Sequence, residues 1–363
     1  MAKSKNKKSS VAKQSAGVAP RRTGQYIIYF FSMVVALAAI FLLVKVTPVP
    51  QSDLPVFPAA AAVCQAYRSL DGVCLTDAAA ANLLPVGVMI ENYFEARPPH
   101  NLTRAQLVYE AVTEGGIPRL LAVYATDEPI DEIGPIRSAR PYFVEWAEEL
   151  RAMYWHSGGS PQALTYLAAT NRVYDVNEFS RGAFFWRDSS LNRPHNLFTS
   201  SERIQKYQTK IEAKTTGVYQ PWTFVDDPEL SARQDIATHF SFNYSPYNNY
   251  FTEWQYNKQE NRYYRFQGGQ AHLDSNGEQV SAKNIIFQYI PTYVIDRIGR
   301  QDIDTFGSGR ILLFQNGGVT EGTWEKTVKG ERTLFLNADG SAVRFNRGTT
   351  WITAMPIGYE VEY

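Results

Sequence analysis

The chain has 363 residues, with 36 basic and 36 acidic side chains, two Cys and 13% aromatic residues, a composition that excludes a disordered stalk. Its formal charge of zero hides an asymmetry. Lys3, Lys5, Lys7, Lys8, Lys13, Arg21 and Arg22 precede residue 26 with no acid among them, and 36 basic residues less these and Lys45 leave 28 against 36 acids. The remainder is therefore near −8, a poor match for nonspecific nucleic-acid binding.

After the basic tail, residues 1–25, comes YIIYFFSMVVALAAIFLLVKV, residues 26–46, uncharged from Tyr26 to Val44. That length matches a helix crossing a bilayer, and the positive-inside bias keeps residues 1–25 cytoplasmic and the bulk of the chain outside. A cleaved signal peptide is the competing reading. Its apolar part is shorter, and Phe41-Leu42-Leu43-Val44-Lys45-Val46 offers no small-x-small cleavage site. The expectation is a single-pass signal-anchor in the cell membrane, with the lipid bilayer as partner through residues 26–46.

Residues 47–83 read as a Pro/Ala-rich linker followed by a small insert. Cys64 and Cys74 lie in that insert, outside the membrane, where a short-loop disulfide is favoured over two free thiols. No His lies nearby, so no metal site is expected.

From residue 84 the pattern alternates. PVGVMIEN, IPRLLAVYAT and AMYWHSG read as buried strands, and LTRAQLVYEAVTEGG as a short helix capped by Thr103 that enters a strand. SARPYFVEWAEELR and SPQALTYLAAT read as helices with caps at Ser138 and Ser160 and Pro in the first turn, and SERIQKYQTKIEAKTT as a polar helix. Asn276-Gly277, Asn316-Gly317 and Asp339-Gly340 are hairpin signals. The predicted fold is an α/β N-terminal domain, residues 84–215, plus an antiparallel β-rich C-terminal domain, residues 216–363, preceded by one transmembrane helix.

Polar residues concentrate between positions 91 and 160. Arg97, Arg119, Arg137 and Arg140 are forks suited to phosphate or carboxylate. Ser138, Gly158, Gly159 and Ser160 lie beside two helix starts whose free N–H groups attract anions. His195 follows in a polar loop, where Asp188 could orient it as a base. An anionic envelope ligand or an envelope protein is therefore the expected partner, with no cofactor and no nucleic acid. The alternative is an envelope enzyme acting on a phosphorylated or glycan substrate, with Glu91, Glu114 or His156 moving protons. A purely structural reading has Glu110 and Glu114 neutralising Arg119 and Arg137. GxSxG, GxxxxGK[ST], HExxH and paired CxxC strings are absent.

The strings PVGVMIENYFEARPPHNLTRAQLVYEAVTEGGIPRLLAVYA, IGPIRSARPYFVEWAEELRAMYWHSGGSPQAL and RPHNLFTS resemble the YerB-type bacterial envelope family, a domain of unknown function with N- and C-terminal parts. YNKQENRYYRFQGGQAHLDSNGEQVSAKNIIFQYI, GSGRILLFQNGGVTEGTWEK and GTTWITAMP resemble its C-terminal part. The resemblance implies an exported, membrane-attached protein and brings no activity or catalytic residues. Lipoprotein anchoring, common in that family, would need a Cys after the apolar run, and none stands there.

Overall fold

Strands that are mostly buried on both faces build the centre of the molecule. In chain order they are β1 (Val86–Ile90), β2 (Leu107–Val112), β3 (Pro118–Tyr124), β4 (Met153–His156), β5 (Tyr174–Asn177), β6 (His239–Phe242), β7 (Thr252–Asn257) and β8 (Arg262–Gln267). They continue as β9 (Asn284–Ile290), β10 (Gly307–Gln315), β11 (Gly318–Lys326), β12 (Leu334–Asn337) and β13 (Thr350–Pro356). The helices are α1 (Pro141–Glu149), α2 (Pro161–Ala169) and α3 (Ser201–Lys210). The structure is a computed structural model describing residues 63–363. The basic tail, the span at 26–46 and residues 47–62 lie outside the described residues. Among those described, no helix is long and apolar enough to cross a membrane.

Ten strands form one sheet in the order β12-β11-β10-β9-β13-β2-β3-β1-β4-β5. The last strand, β13, inserts between β9 and β2 and runs parallel to both, with Thr350 opposite Asn284 on one side and Leu107 on the other. Strands from before and after residue 215 thus share this sheet. The expected antiparallel pattern holds in the hairpins of β9–β12 and in a second sheet built on β6, β7 and β8. It fails at β13, because a parallel strand arriving from far along the chain leaves no turn signal.

Side chains alternate across the sheet. Val86, Val88 and Ile90 enter a core shared with Ile204 and Tyr207 of α3 and with Phe240, Trp254 and Tyr263 of the second sheet. Met89, Leu121 and Val123 enter the opposite core, against Tyr142, Phe143 and Trp146 of α1 and Ala163 of α2. The layers are therefore helices, central sheet, and a mixed layer of α3 and the second sheet.

Local signals explain the ends. Ser160 Oγ accepts from Ala163 N at 3.2 Å and Pro161 opens α2, as its spacing predicts. Ser138 does not cap α1. Pro141 takes the first helical position, so the cap position falls to Arg140, which makes no side-chain capping bond. Thr103 caps no helix either: a 3₁₀ turn, Leu102–Arg104, precedes β2, and Thr103 N donates to Asp274 Oδ2 at 2.9 Å. Asn316-Gly317 forms the two-residue hairpin between β10 and β11, with φ of 56° and 72° in the left-handed region. The Asn276-Gly277 and Asp339-Gly340 turns close single bridges, Leu273 to Gln279 and Leu336 to Ala342. The IIFQYI run after the first of these belongs to β9 of the central sheet. The Cys64–Cys74 disulfide is formed, with Cα atoms 5.5 Å apart, and staples a small hairpin at Ala66–Tyr67 and Cys74–Leu75.

Candidate functional site

The strands β1, β2, β4, β5, β9 and β13 point the same way, so their carboxyl ends share one edge of the sheet. That edge is where open α/β sheets usually present ligand sites. Ile90 pairs with Leu120, so Glu91 leaves β1 level with Arg119 of β3. Glu114 follows β2. The loop before α1 then returns along β1: Glu91 N donates to Pro135 O at 2.8 Å and Arg137 N donates to Met89 O at 2.9 Å. This places Arg137 and Arg140 beside Glu91 and Glu114, with His156 ending β4 nearby. Residues separated by as many as 65 positions in sequence are brought to one edge by pairing alone.

Most of the charge there is already matched. Glu91 is buried and ion-paired with Arg137. Its Oε1 accepts from Asn92 N and Tyr93 N at 3.2 and 3.1 Å, and His195 Nδ1 lies 3.5 Å from Oε2. Burial alone would raise the Glu91 pKa, but His195, Arg119 and Arg137 outweigh it and hold the carboxyl down at about 2. Arg140 forks onto Glu114, Nε to Oε1 and Nη2 to Oε2, both at 2.6 Å. Glu114 is depressed in turn, burial being outweighed by that guanidinium.

Arg119 differs. It is 5% exposed, and its Nη1 donates to Ser138 O at 3.0 Å. Among the described residues its buried Nε has no acceptor and no carboxylate comes within 4 Å of it. Burial and the Arg140 charge lower its pKa, and Glu91 opposes them. Three guanidinium groups therefore share two carboxylates.

The remaining sequence candidates divide. His156 is fully buried, with Nε2 2.6 Å from Asp175 Oδ1 and Nδ1 2.7 Å from Gly158 O, so both ring nitrogens are engaged. Gly158 adopts φ +62° and donates to Asn177 Oδ1, and Gly159 bridges to Ala139, so both shape a turn. Ser138 contributes its carbonyl. His195 does not pair with Asp188, whose Oδ1 accepts from Ser190 N at 2.7 Å; it stacks on Tyr93 with centroids 5.2 Å apart. Arg97 stands apart from the edge cluster, bonded to Asn92 and to Asn249 O.

In the purely structural reading Glu110 and Glu114 would neutralise Arg119 and Arg137, but neither acid pairs with either arginine. Glu110 faces the other layer, where it takes Arg265 Nη2 at 2.8 Å, Tyr244 Oη at 3.0 Å and Trp351 Nε1 at 2.8 Å. Glu110 and Arg265 are both wholly buried. Sequence reasoning missed Arg265, which lies 155 positions away; the only available signal was its place inside an alternating apolar strand.

The comparisons with known proteins agree with this architecture. The N-terminal domain of the protein of unknown function DUF3048 matches residues 70–215, and the C-terminal domain of the same family matches residues 240–352. The chain is 33% identical over 273 residues to YerB of Bacillus subtilis (strain 168), which is named as a candidate lipoprotein; the match covers 75% of this chain and 81% of that one. The crystal structure of the YerB protein from Bacillus subtilis superposes with a TM-score of 0.73 at 29% identity, covering 82% of this chain and 99% of that chain.

Proposed function

The chain belongs to the DUF3048 family, and from that premise we propose that it is an envelope-associated binding module that holds a small anion at the carboxyl edge of its central sheet. Envelope attachment is supported by the name of the Bacillus subtilis relative and by the apolar run at residues 26–46 behind a basic tail. The anchoring reading is a single-pass span with the N-terminus cytoplasmic and the bulk outside.

One observation carries the anion: Arg119, a buried guanidinium with an unpartnered Nε between two arginines that already have carboxylates. A buried charge without a counter-charge is unfavourable, and a phosphate or carboxylate oxygen at Arg119 would remove that cost. Binding is favoured over turnover because Glu91 and Glu114 each sit in an ion pair and both ring nitrogens of His156 are engaged. A second reading, an envelope protein partner, is favoured by the hairpin of Thr292–Val294 and Gln301–Ile303. It exposes Tyr293, Val294 and Ile298 by 61%, 65% and 63%.

Thermal unfolding of the full chain in detergent tests the anion. Inorganic phosphate should raise the Tm saturably, by mass action on the folded state. Arg119→Met should lose that dependence, and Arg119→Lys should weaken it. A wild-type Tm indifferent to phosphate would end the proposal.

A further inference from the structure

A second place where buried hydrogen bonds are left unmade is a crevice of about 560 Å³ between the loop after β1 and the end of β8. Phe94 and Arg97 line it from the N-terminal matched region; Asn249, Gln267, His272 and Asp274 line it from the C-terminal one. Behind its lining residue His272 stands the buried Glu110–Arg265 pair. Arg265 Nη1 lies 2.6 Å from His272 Nδ1, and an arginine can only donate, so Nδ1 accepts and the proton of this imidazole is on Nε2. Burial, Arg265 and Arg97 all push the His272 pKa well below its ordinary value, which keeps the ring neutral. Nε2–H, on the side of the ring turned from Arg265, has no partner among the described residues although His272 is only 4% exposed.

Gln267 is placed by similar logic. The Thr252 hydroxyl donates to Tyr250 O at 3.1 Å, so its oxygen receives Gln267 Nε2 at 3.5 Å. That orientation leaves Gln267 Oε1 unpartnered on a side chain 4% exposed. Arg97 spends Nε, Nη1 and Nη2 on Asn92 and Asn249, each terminal nitrogen keeping a second N–H. Burial and the Arg265 charge lower its pKa to about 10, so it lies in a cationic field. The Asp274 carboxylate also lines the crevice, but it is taken by Asn101 N, Thr103 N and Ser275 N. The crevice thus offers donors and a positive charge beside one acceptor, with Phe94 and Leu273 giving an apolar rim.

We propose that this crevice binds a small carboxylate with a hydrogen-bond donor next to it, as in an N-acyl amino acid or a 2-hydroxy acid. The carboxylate accepts from His272 Nε2–H and Arg97, and the neighbouring amide N–H or hydroxyl donates to Gln267 Oε1. A site that must satisfy a buried acceptor discriminates against ligands lacking the matching donor. Inorganic phosphate, which is the probe for the edge cluster, carries its hydroxyl and its anionic oxygens on one tetrahedral centre and so does not match a planar carboxylate with the donor on the next atom.

Isothermal titration of the full chain with N-acetyl-L-alanine, L-lactate, acetate and inorganic phosphate tests the assignment. N-acetyl-L-alanine or lactate should bind at least about tenfold more tightly than acetate, and phosphate should not displace them. Preference for the first marks a peptide end, and preference for the second marks a hydroxy acid. Gln267→Leu should erase the margin over acetate while carboxylate binding persists, and Arg97→Met should weaken all three carboxylates. Equal affinity for acetate, displacement by phosphate, an unchanged margin in Gln267→Leu, or no binding by either donor-bearing acid would overturn the proposal.

Discussion

The carboxyl edge of the central sheet and the crevice behind β8 are both built from arginines, carboxylates and a histidine, yet they are in opposite electrostatic states. At the edge, Arg137 and Arg140 are held by Glu91 and Glu114, and only Arg119 is left over. At the crevice the ion pair, Glu110 on Arg265, stands behind the lining residue His272, and the neutral His272 and Gln267 each keep a bond unmade. At the edge the arginines outnumber the acids, whereas at the crevice the unmade bonds belong to neutral groups of opposite role, one donor and one acceptor.

Removing the acid that stands behind the crevice should have the largest effect. Glu110→Leu leaves Arg265 charged and wholly buried, and about 3–5 kcal/mol of stability should be lost in urea unfolding. A loss under about 1 kcal/mol would mean that Arg265 reaches solvent, and the contrast between the regions would weaken.

The edge should answer to acid. The folded pKa of Glu91 lies below its ordinary 4.5, at about 2, so the folded state binds this proton less readily than the unfolded chain. Its stabilisation is complete above pH 4.5 and is lost as pH falls from there through 2, about 3 kcal/mol in all. Unfolding midpoints measured down that range should fall steeply in wild type and less so in Glu91→Gln. Parallel curves would place the acid sensitivity elsewhere.

A smaller effect sharpens the comparison at the crevice mouth. Gln267→Leu removes an unpartnered buried acceptor and only one long bond, so stability without ligand should change by no more than about 1 kcal/mol. Arg140→Ala, by contrast, breaks a two-point ion pair and should cost more in the same assay.

Much of the fold was legible because its signals are local. Val86, Val88 and Ile90 alternate with Met89, Ser160 and Pro161 open a helix, and Asn316-Gly317 turns a hairpin. The insertion of β13 between β9 and β2 was not legible, since it depends on Thr350 finding Asn284 and Leu107 across long loops. The same distinction governs the sites. Glu91, Glu114, Arg119, Arg137 and Arg140 stand out in sequence only as members of one polar stretch, and which acid meets which arginine, Arg140 taking Glu114, is a matter of side-chain reach. His272 and Gln267 carry no motif and gain meaning only from Arg265 and Thr252 behind them.

Diffraction from crystals of the full chain grown in bromide would test the central claim most directly, because anomalous scattering locates the ion without assumption. A bromide within hydrogen-bonding reach of Arg119 Nε, and absent from crystals of Arg119→Met, is the predicted result. Bromide bound elsewhere, with Arg119 Nε meeting only solvent or protein, would contradict it.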